Sequence, residues 1–176
     1  NTRTPMGHPE GYLEAFAKHF DLYPVIEFNT AVESVKREID GRWFVKTSSG
    51  DESEYDAVIV GNGHYSIPRV PKVPGMELFQ GILIHSHNYR TPEMFKGKRV
   101  AVFGAAASAL DISLEINQVA EKVYWCAEEH ADIDVGDEIL RCGTPVEFKN
   151  GNLKLENGNW LEHLDAFIFC TGYHYQ

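Results

Sequence analysis

Along residues 11–20 apolar side chains recur at Leu13, Phe16, Ala17 and Phe20, the spacing that lines one face of a helix. The run Pro24-Val25-Ile26-Glu27-Phe28 then reads as a buried strand, and residues 31–36 as a half-exposed one. A third strand is predicted at residues 42–47, closed by the turn-forming Ser48-Ser49-Gly50-Asp51. Residues 56–60 form a short apolar strand that runs into Gly61-Asn62-Gly63. Pro68, Pro71 and Pro74, followed by Gly75, predict an extended linker rather than regular structure. Beyond it the chain reads strand, turn, helix, strand: residues 98–103, a turn begun by Gly104, a helix over 107–119 and a strand over 122–125. A β-meander follows. Residues 146–149 and 152–155 flank Asn150-Gly151, the dipeptide best suited to a tight type I′ hairpin, and Asn157-Gly158 turns the chain into Trp160-Leu161-Glu162.

Two stretches of this pattern resemble each other. In the first, a strand, a glycine turn and a strand lead into Asp56-Ala57-Val58-Ile59-Val60-Gly61-Asn62-Gly63. In the second, the same order leads into Asp165-Ala166-Phe167-Ile168-Phe169-Cys170-Thr171-Gly172. A repeat flanking a nucleotide-type strand–turn–helix predicts two related α/β lobes. The second is inserted into the first, and the final strand returns to lobe one.

Composition narrows the function classes. The formal net charge is −10 and no block of Lys or Arg occurs, so the electrostatic attraction that nucleic acid needs is missing. The longest apolar stretches, Ala57-Val58-Ile59-Val60 and Ala166-Phe167-Ile168-Phe169-Cys170, are far too short to span a bilayer, and membrane association is not indicated. Cys126, Cys142 and Cys170 form neither a C-x-x-C pair nor a zinc spacing. With no secretory segment, they favour a reducing, cytoplasmic compartment. The first residue is Asn1 rather than Met, which favours a chain cut from something longer.

Three segments carry candidate chemistry. Gly104, Ala105, Ala106, Ala107, Ser108 and Ala109 lie between strand and helix, where a dinucleotide fold places G-x-G-x-x-G/A. The first small residue makes the turn, the second lets backbone N–H groups reach the pyrophosphate, and the third lets the helix pack on the strand. Ala106 puts a methyl group at the second position, so the cradle is tighter than with glycine. An ordinary small-residue turn accounts for the same letters. Glu128 lies 24 residues after Gly104, where an acid would hold a ribose 2′-hydroxyl and favour NAD; a solvated acidic loop explains it equally. The third segment runs from Phe79 to Arg90. His85 and His87 share one side of an extended stretch, but with no third ligand a metal is not expected. Arg90 is a candidate for a cofactor phosphate, or simply an exposed arginine.

Phe79, Gly81, His85 and Tyr89 fit F-x-G-x-x-x-H-x-x-x-Y, and here the chain resembles the flavin-containing monooxygenases. Gly61-Asn62-Gly63-His64-Tyr65, the prolines to Pro74-Gly75, the run Phe95 to Val100, and Cys170-Thr171-Gly172-Tyr173 are similar to that family in the same order. The resemblance implies an α/β fold of two dinucleotide-binding lobes: an incomplete FAD lobe with an inserted NAD(P)-binding Rossmann-like lobe, plus meanders. Residues 1–90 would be partial FAD lobe and linker, 91–164 the NAD(P) lobe, and 165–176 the return to the FAD lobe. It also implies the chemistry: NADPH reduces FAD, and the reduced flavin passes one atom of O₂ to the nitrogen or sulfur of a small nucleophile. Tyr89 points to that amine and sulfur branch rather than to a Baeyer–Villiger enzyme.

By the same resemblance, residues 104–109 would hold the NADPH pyrophosphate, and the signature would link the lobes. Val32 would approach the FAD adenine, and Asn62, Gly63, Thr171 and Gly172 would face the flavin lobe from strand ends. The chain departs from the family in three ways. No G-x-G-x-x-G for FAD precedes Gly11, Ala106 replaces the middle glycine, and Glu128-Glu129 stands where a phosphate-accepting base is expected. The departures keep two alternatives open: a non-catalytic nucleotide-binding or interaction domain, and a flavin-linked disulfide reductase. The second needs a redox C-x-x-C.

Overall fold

The computed structural model describes residues 9–130 and 132–175, so expectations that fall on residues 1–8, Ala131 or Gln176 lie outside the described residues. In chain order the elements are α1 (Pro9–His19), β1 (Val32–Arg37), β2 (Trp43–Thr47), β3 (Glu52–Tyr55), β4 (Ile67–Pro68), β5 (Ile82–His85) and β6 (Arg99–Phe103). They continue with α2 (Ala107–Ile116), β7 (Lys122–Cys126), β8 (Ile139–Cys142), β9 (Pro145–Lys149), β10 (Asn152–Leu155), β11 (Trp160–Leu161), β12 (Ala166–Phe169) and β13 (Tyr173–His174). The chain divides into two units, Asn1–Gly61 and Asn62–Gln176.

In the first unit the expected strands β1 and β2 are joined by β3, which the apolar pattern does not mark, in an antiparallel meander, with Val35 opposite Val45 and Phe44 opposite Glu54. Two expected strands are absent. Residues 23–25 make a 3₁₀ turn instead of the start of a buried strand, and Val25 and Phe28 are 79% and 63% exposed. Pro24 has no N–H to give to a ladder. The apolar run at 57–60 is likewise not a strand, and Ile59 is 95% exposed. Such a run becomes a strand only when neighbours complete its hydrogen bonds. None among the described residues of this unit does so.

The second unit is built on a five-stranded parallel sheet in the order β5-β12-β6-β7-β8. Its central strands are apolar on both faces, as a sheet covered on both sides requires. Val100, Val102, Ala166 and Ile168 point to the face that α2 covers with Ala109, Ile112 and Ile116. Ala101, Phe167 and Phe169 point the other way, under Phe148, Leu153 and Leu155 of the β9–β11 meander. Phe167 meets Phe169 and Phe148 edge-on at centroid distances of 4.8 and 5.2 Å, contacts worth about 0.5–1.5 kcal/mol each beyond burial.

The hairpin between β9 and β10 turns at Asn150 (φ 52°) and Gly151 (φ 76°), both left-handed as a type I′ turn demands. The α2 helix stops at Ile116, three residues short of the expected Val119, where Val119 N–H bonds Ile116 O in a tightened last turn. Strand β8 is a half-exposed edge strand without an apolar run, and its sequence does not announce it.

The lobe boundaries differ from expectation. Strand β5 pairs in parallel with β12 from Ile82–Ala166 to His85–Phe169, so residues before 91 already belong to the second unit. Strand β12, expected to return to the first lobe, lies between β5 and β6. The repeat survives in altered form. Each unit has a three-stranded meander followed by an apolar run, and only the second run finds neighbours to pair with.

Candidate functional site

Strand β6 lies inside the sheet, with β12 on one side and β7 on the other. From β6 the chain steps outward to β7 and β8, then comes back on the opposite flank as β12. The carboxyl ends of β6 and β12 therefore meet at a topological switch point, where open α/β sheets bind ligands.

Gly104 closes β6 and is held from three sides. Its N–H donates to Cys126 O at 2.9 Å, and its carbonyl accepts from the buried Trp125 Nε1 at 2.7 Å. A Cβ on Gly104, at φ 153°, would stand 2.2 Å from the Cys170 carbonyl oxygen. Only glycine lets β6 and β12 converge here. The helix α2 starts next, with Ala106 as its N-cap and no side chain capping it. Ala105, Ala106, Ala107 and Ser108 are exposed, while Ala109 is fully buried against the sheet, as the third small position of the motif requires. The first intrahelical bond is Ala109 N–H to Ala106 O at 2.9 Å, and the N–H groups of Ala107 and Ser108 that precede it leave this mouth open to an anion.

A cavity of about 420 Å³ lies over the mouth. Gly104, Ala105 and Ala106 line it, and Thr171 and Gly172 join them from the end of β12. Glu128 lines it beyond β7, so the acid marked by its spacing does reach the crevice. Arg69 and Thr144 line it too, and sequence reasoning missed both. Arg69 is fixed by Thr171: its Nε donates to Thr171 O at 2.8 Å, Thr171 Oγ1 donates to Arg69 O, and Arg69 N–H donates to Gly172 O at 2.9 Å. Nothing local marks a contact made 102 residues away.

Other candidates stand elsewhere. Arg90 is exposed, and its Nη1 donates to the carbonyls of His87 and Tyr89 at 2.8 Å, away from this cavity. Asn62 and Gly63 are exposed and end no strand, because residues 57–60 form none. Val32, in the first unit, opens β1 opposite Thr47 and lines a separate cavity of about 310 Å³ with Thr30, Val45 and Val58.

The four signature residues all brace the second unit. Phe79 packs on Phe148 at a centroid distance of 5.0 Å. Gly81 admits the backbone of β12's approach, since a Cβ there would lie 2.3 Å from Asp165 O. His85 is 5% exposed, and both ring nitrogens are engaged. Nε2 lies 3.0 Å from Gly172 O and Nδ1 accepts from His87 N–H at 3.0 Å, which makes the ring the neutral Nε2–H form. Burial lowers its pKa below 6.5. Tyr89 stacks on Phe95 and donates to Glu115 Oε2 at 3.0 Å on α2; burial, then that carboxylate, raises its hydroxyl pKa. Burial likewise pushes the Cys170 thiol up to about 12, so it is no thiolate nucleophile. Cys126 and Cys142, distant in sequence, are register partners on β7 and β8 and both are free thiols.

Comparison with known proteins agrees with this geometry. Residues 6–133 match the FMO-like family, described as flavin-binding monooxygenase-like. The chain is 35% identical over 193 residues to flavin-containing monooxygenase FMO GS-OX-like 2 of Arabidopsis thaliana, covering 99% of this chain and 41% of that protein. The structure of S-allyl-L-cysteine S-oxygenase from Allium sativum superposes with a TM-score of 0.75 and 33% identity, over 94% of this chain and 40% of that one. An oxidized steroid monooxygenase bound to NADP matches with a TM-score of 0.54 and 34% identity, over 66% of this chain and 23% of that one. The chain thus spans about two fifths of the length of the curated relatives it matches. A glycine-closed central strand, an uncapped helix mouth, the F-x-G-x-x-x-H-x-x-x-Y segment and a profile match over most of its length lead to one conclusion: this chain belongs to the flavin-binding monooxygenase-like family.

Proposed function

We propose that the crevice above β6 and β12 is the nicotinamide-dinucleotide site of an oxygenating flavoenzyme that acts on the sulfur or nitrogen of a small nucleophilic substrate. NADPH is the expected dinucleotide, NADH an admissible one, and FAD the flavin. The observation that carries the reading is the uncapped mouth of α2 at the end of a central strand, with a cavity over it. The kinship supports the choice of partners. A relative of 34% identity is bound to NADP, and one of 33% identity oxygenates sulfur in S-allyl-L-cysteine.

When bound, the dinucleotide supplies a hydride and the flavin supplies the means of activating O₂. This chain's residues bind and orient. The N–H groups at the start of α2 face the pyrophosphate, and the helix terminus adds about 0.3–1 kcal/mol for each negative charge. Gly104 keeps the strand end low enough for the phosphates to approach. The methyl of Ala106 narrows that approach. Glu128, beyond β7, accepts from ribose hydroxyls and repels a 2′-phosphate, which makes NADH usable.

Binding tests the reading on this chain. Calorimetric titration is expected to show weak binding of both dinucleotides, tightened a few fold by Ala106→Gly. Absence of heat with NADPH and NADH at millimolar concentration overturns it. After FAD is added and the excess removed, the protein is expected to be colourless, because residues 104–109 are the one strand–turn–helix cradle among the described residues. A retained flavin spectrum would reassign the crevice to FAD.

A further inference from the structure

The crevice has two charged side chains in its lining, Arg69 and Glu128. The geometry points to Arg69 as a positioning residue for the dinucleotide's pyrophosphate, an inference that rests on the proposed dinucleotide site and extends it. Three observations lead there.

The first is electrostatic. The chain carries a net charge of −10, so an anionic ligand approaches an adverse field and needs a local cation. Arg69 is the cation in this lining. The second is mechanical. Nε is occupied by Thr171 O, and Arg69's own N–H and carbonyl are tied to Gly172 and Thr171. Those bonds seat the residue at the end of β12, next to the bridge where β4 pairs with β13. No other side-chain hydrogen bond to Arg69 occurs among the described residues. Its terminal nitrogens remain as a fork, the geometry that grips phosphate oxygens in pairs. The third is the weakness of the cradle itself. With Ala106 at the middle position, backbone N–H groups meet the phosphates less closely, and a guanidinium in the same lining supplies what the cradle lacks.

Arg69 and Glu128 therefore divide the ligand. Arg69 grips the pyrophosphate that NADH, NADPH and ADP-ribose share, whereas Glu128 senses the 2′ position that separates the first two.

The test titrates the whole chain and its Arg69→Gln and Arg69→Lys variants with NADPH, NADH and ADP-ribose, folding being checked by circular dichroism. Arg69→Gln is expected to weaken all three about tenfold and to lower the salt dependence of binding. Arg69→Lys, which keeps the charge without the fork, is expected to recover part of the loss. Both variants lose the Nε–Thr171 bond, so a merely structural role would affect them alike; equal loss in Gln and Lys overturns the proposal. Unchanged affinity in Arg69→Gln with a binding-competent wild type also overturns it, as does a loss confined to NADPH, which would place Arg69 at the 2′-phosphate. If the wild type binds none of the three ligands, the dinucleotide reading itself falls, and this inference with it.

Discussion

Gly104 shows how closely one backbone position can be specified. Its missing Cβ leaves room for the Cys170 carbonyl, its N–H bonds the end of β7, and its carbonyl takes the Trp125 indole. A methyl added 2.2 Å from a backbone oxygen must push β6 and β12 apart. Gly104→Ala is therefore expected to destabilise the second unit by roughly 2–4 kcal/mol, read from urea denaturation, and to abolish dinucleotide binding.

His85 makes a second prediction, in pH. Burial holds its folded pKa below the ordinary 6.5, and protonation would aim an Nδ1–H at the N–H of His87. The unfolded chain thus takes up the proton first. Stability from this residue is complete above about pH 6.5 and is lost as the pH falls below it, with a slope of at most ~1.4 kcal/mol per pH unit. Thermal melts from pH 8 to 5 should show that decline, and His85→Gln should flatten it.

Elements with a strong local signal form as the sequence predicts. The Asn150-Gly151 turn is one: both residues adopt positive φ, and a Cβ on Gly151 would touch nothing within 4 Å. Gly151→Ala isolates the backbone cost, expected at about 1–2 kcal/mol, whereas Gly151→Asn should cost less because asparagine tolerates that conformation. Equal losses in equilibrium unfolding would mean that side-chain contacts, not φ, set the price. Helix α2, β1, β2, β6, β7 and the β9–β11 meander were legible for the same kind of reason, since turn chemistry and periodicity act over a few residues. Strand β8 was not, because an edge strand with two exposed positions carries no apolar run. The runs 24–28 and 57–60 read as strands and are not, because pairing depends on partners that periodicity does not reveal.

Across the whole molecule the two units differ in kind. Among the described residues of the first unit no side chain is buried, while the second holds two apolar clusters on either side of its sheet. Local opening free energy follows burial. Hydrogen exchange followed by mass spectrometry is expected to show amides of β6, β7 and β12 protected for much longer than those of β1–β3. Comparable protection in both meanders would contradict this account of where the stability lies.

Local chemistry sufficed to read the glycine turn between β6 and α2, the acid 24 residues beyond Gly104, the type I′ hairpin and the family, because each depends on residues close together in the chain. Thr171 and Gly172, which the motif set at a strand end facing the flavin lobe, line the crevice beside Gly104. Folding alone brought Arg69 to Thr171, set β12 between β5 and β6, placed Cys126 opposite Cys142 in register, and left Arg90 outside the crevice lining. These outcomes join segments up to 102 residues apart. Which strand completes whose ladder, and which side chain meets which carbonyl, is settled by burial of both sheet faces at once, and no short stretch of sequence carries that information.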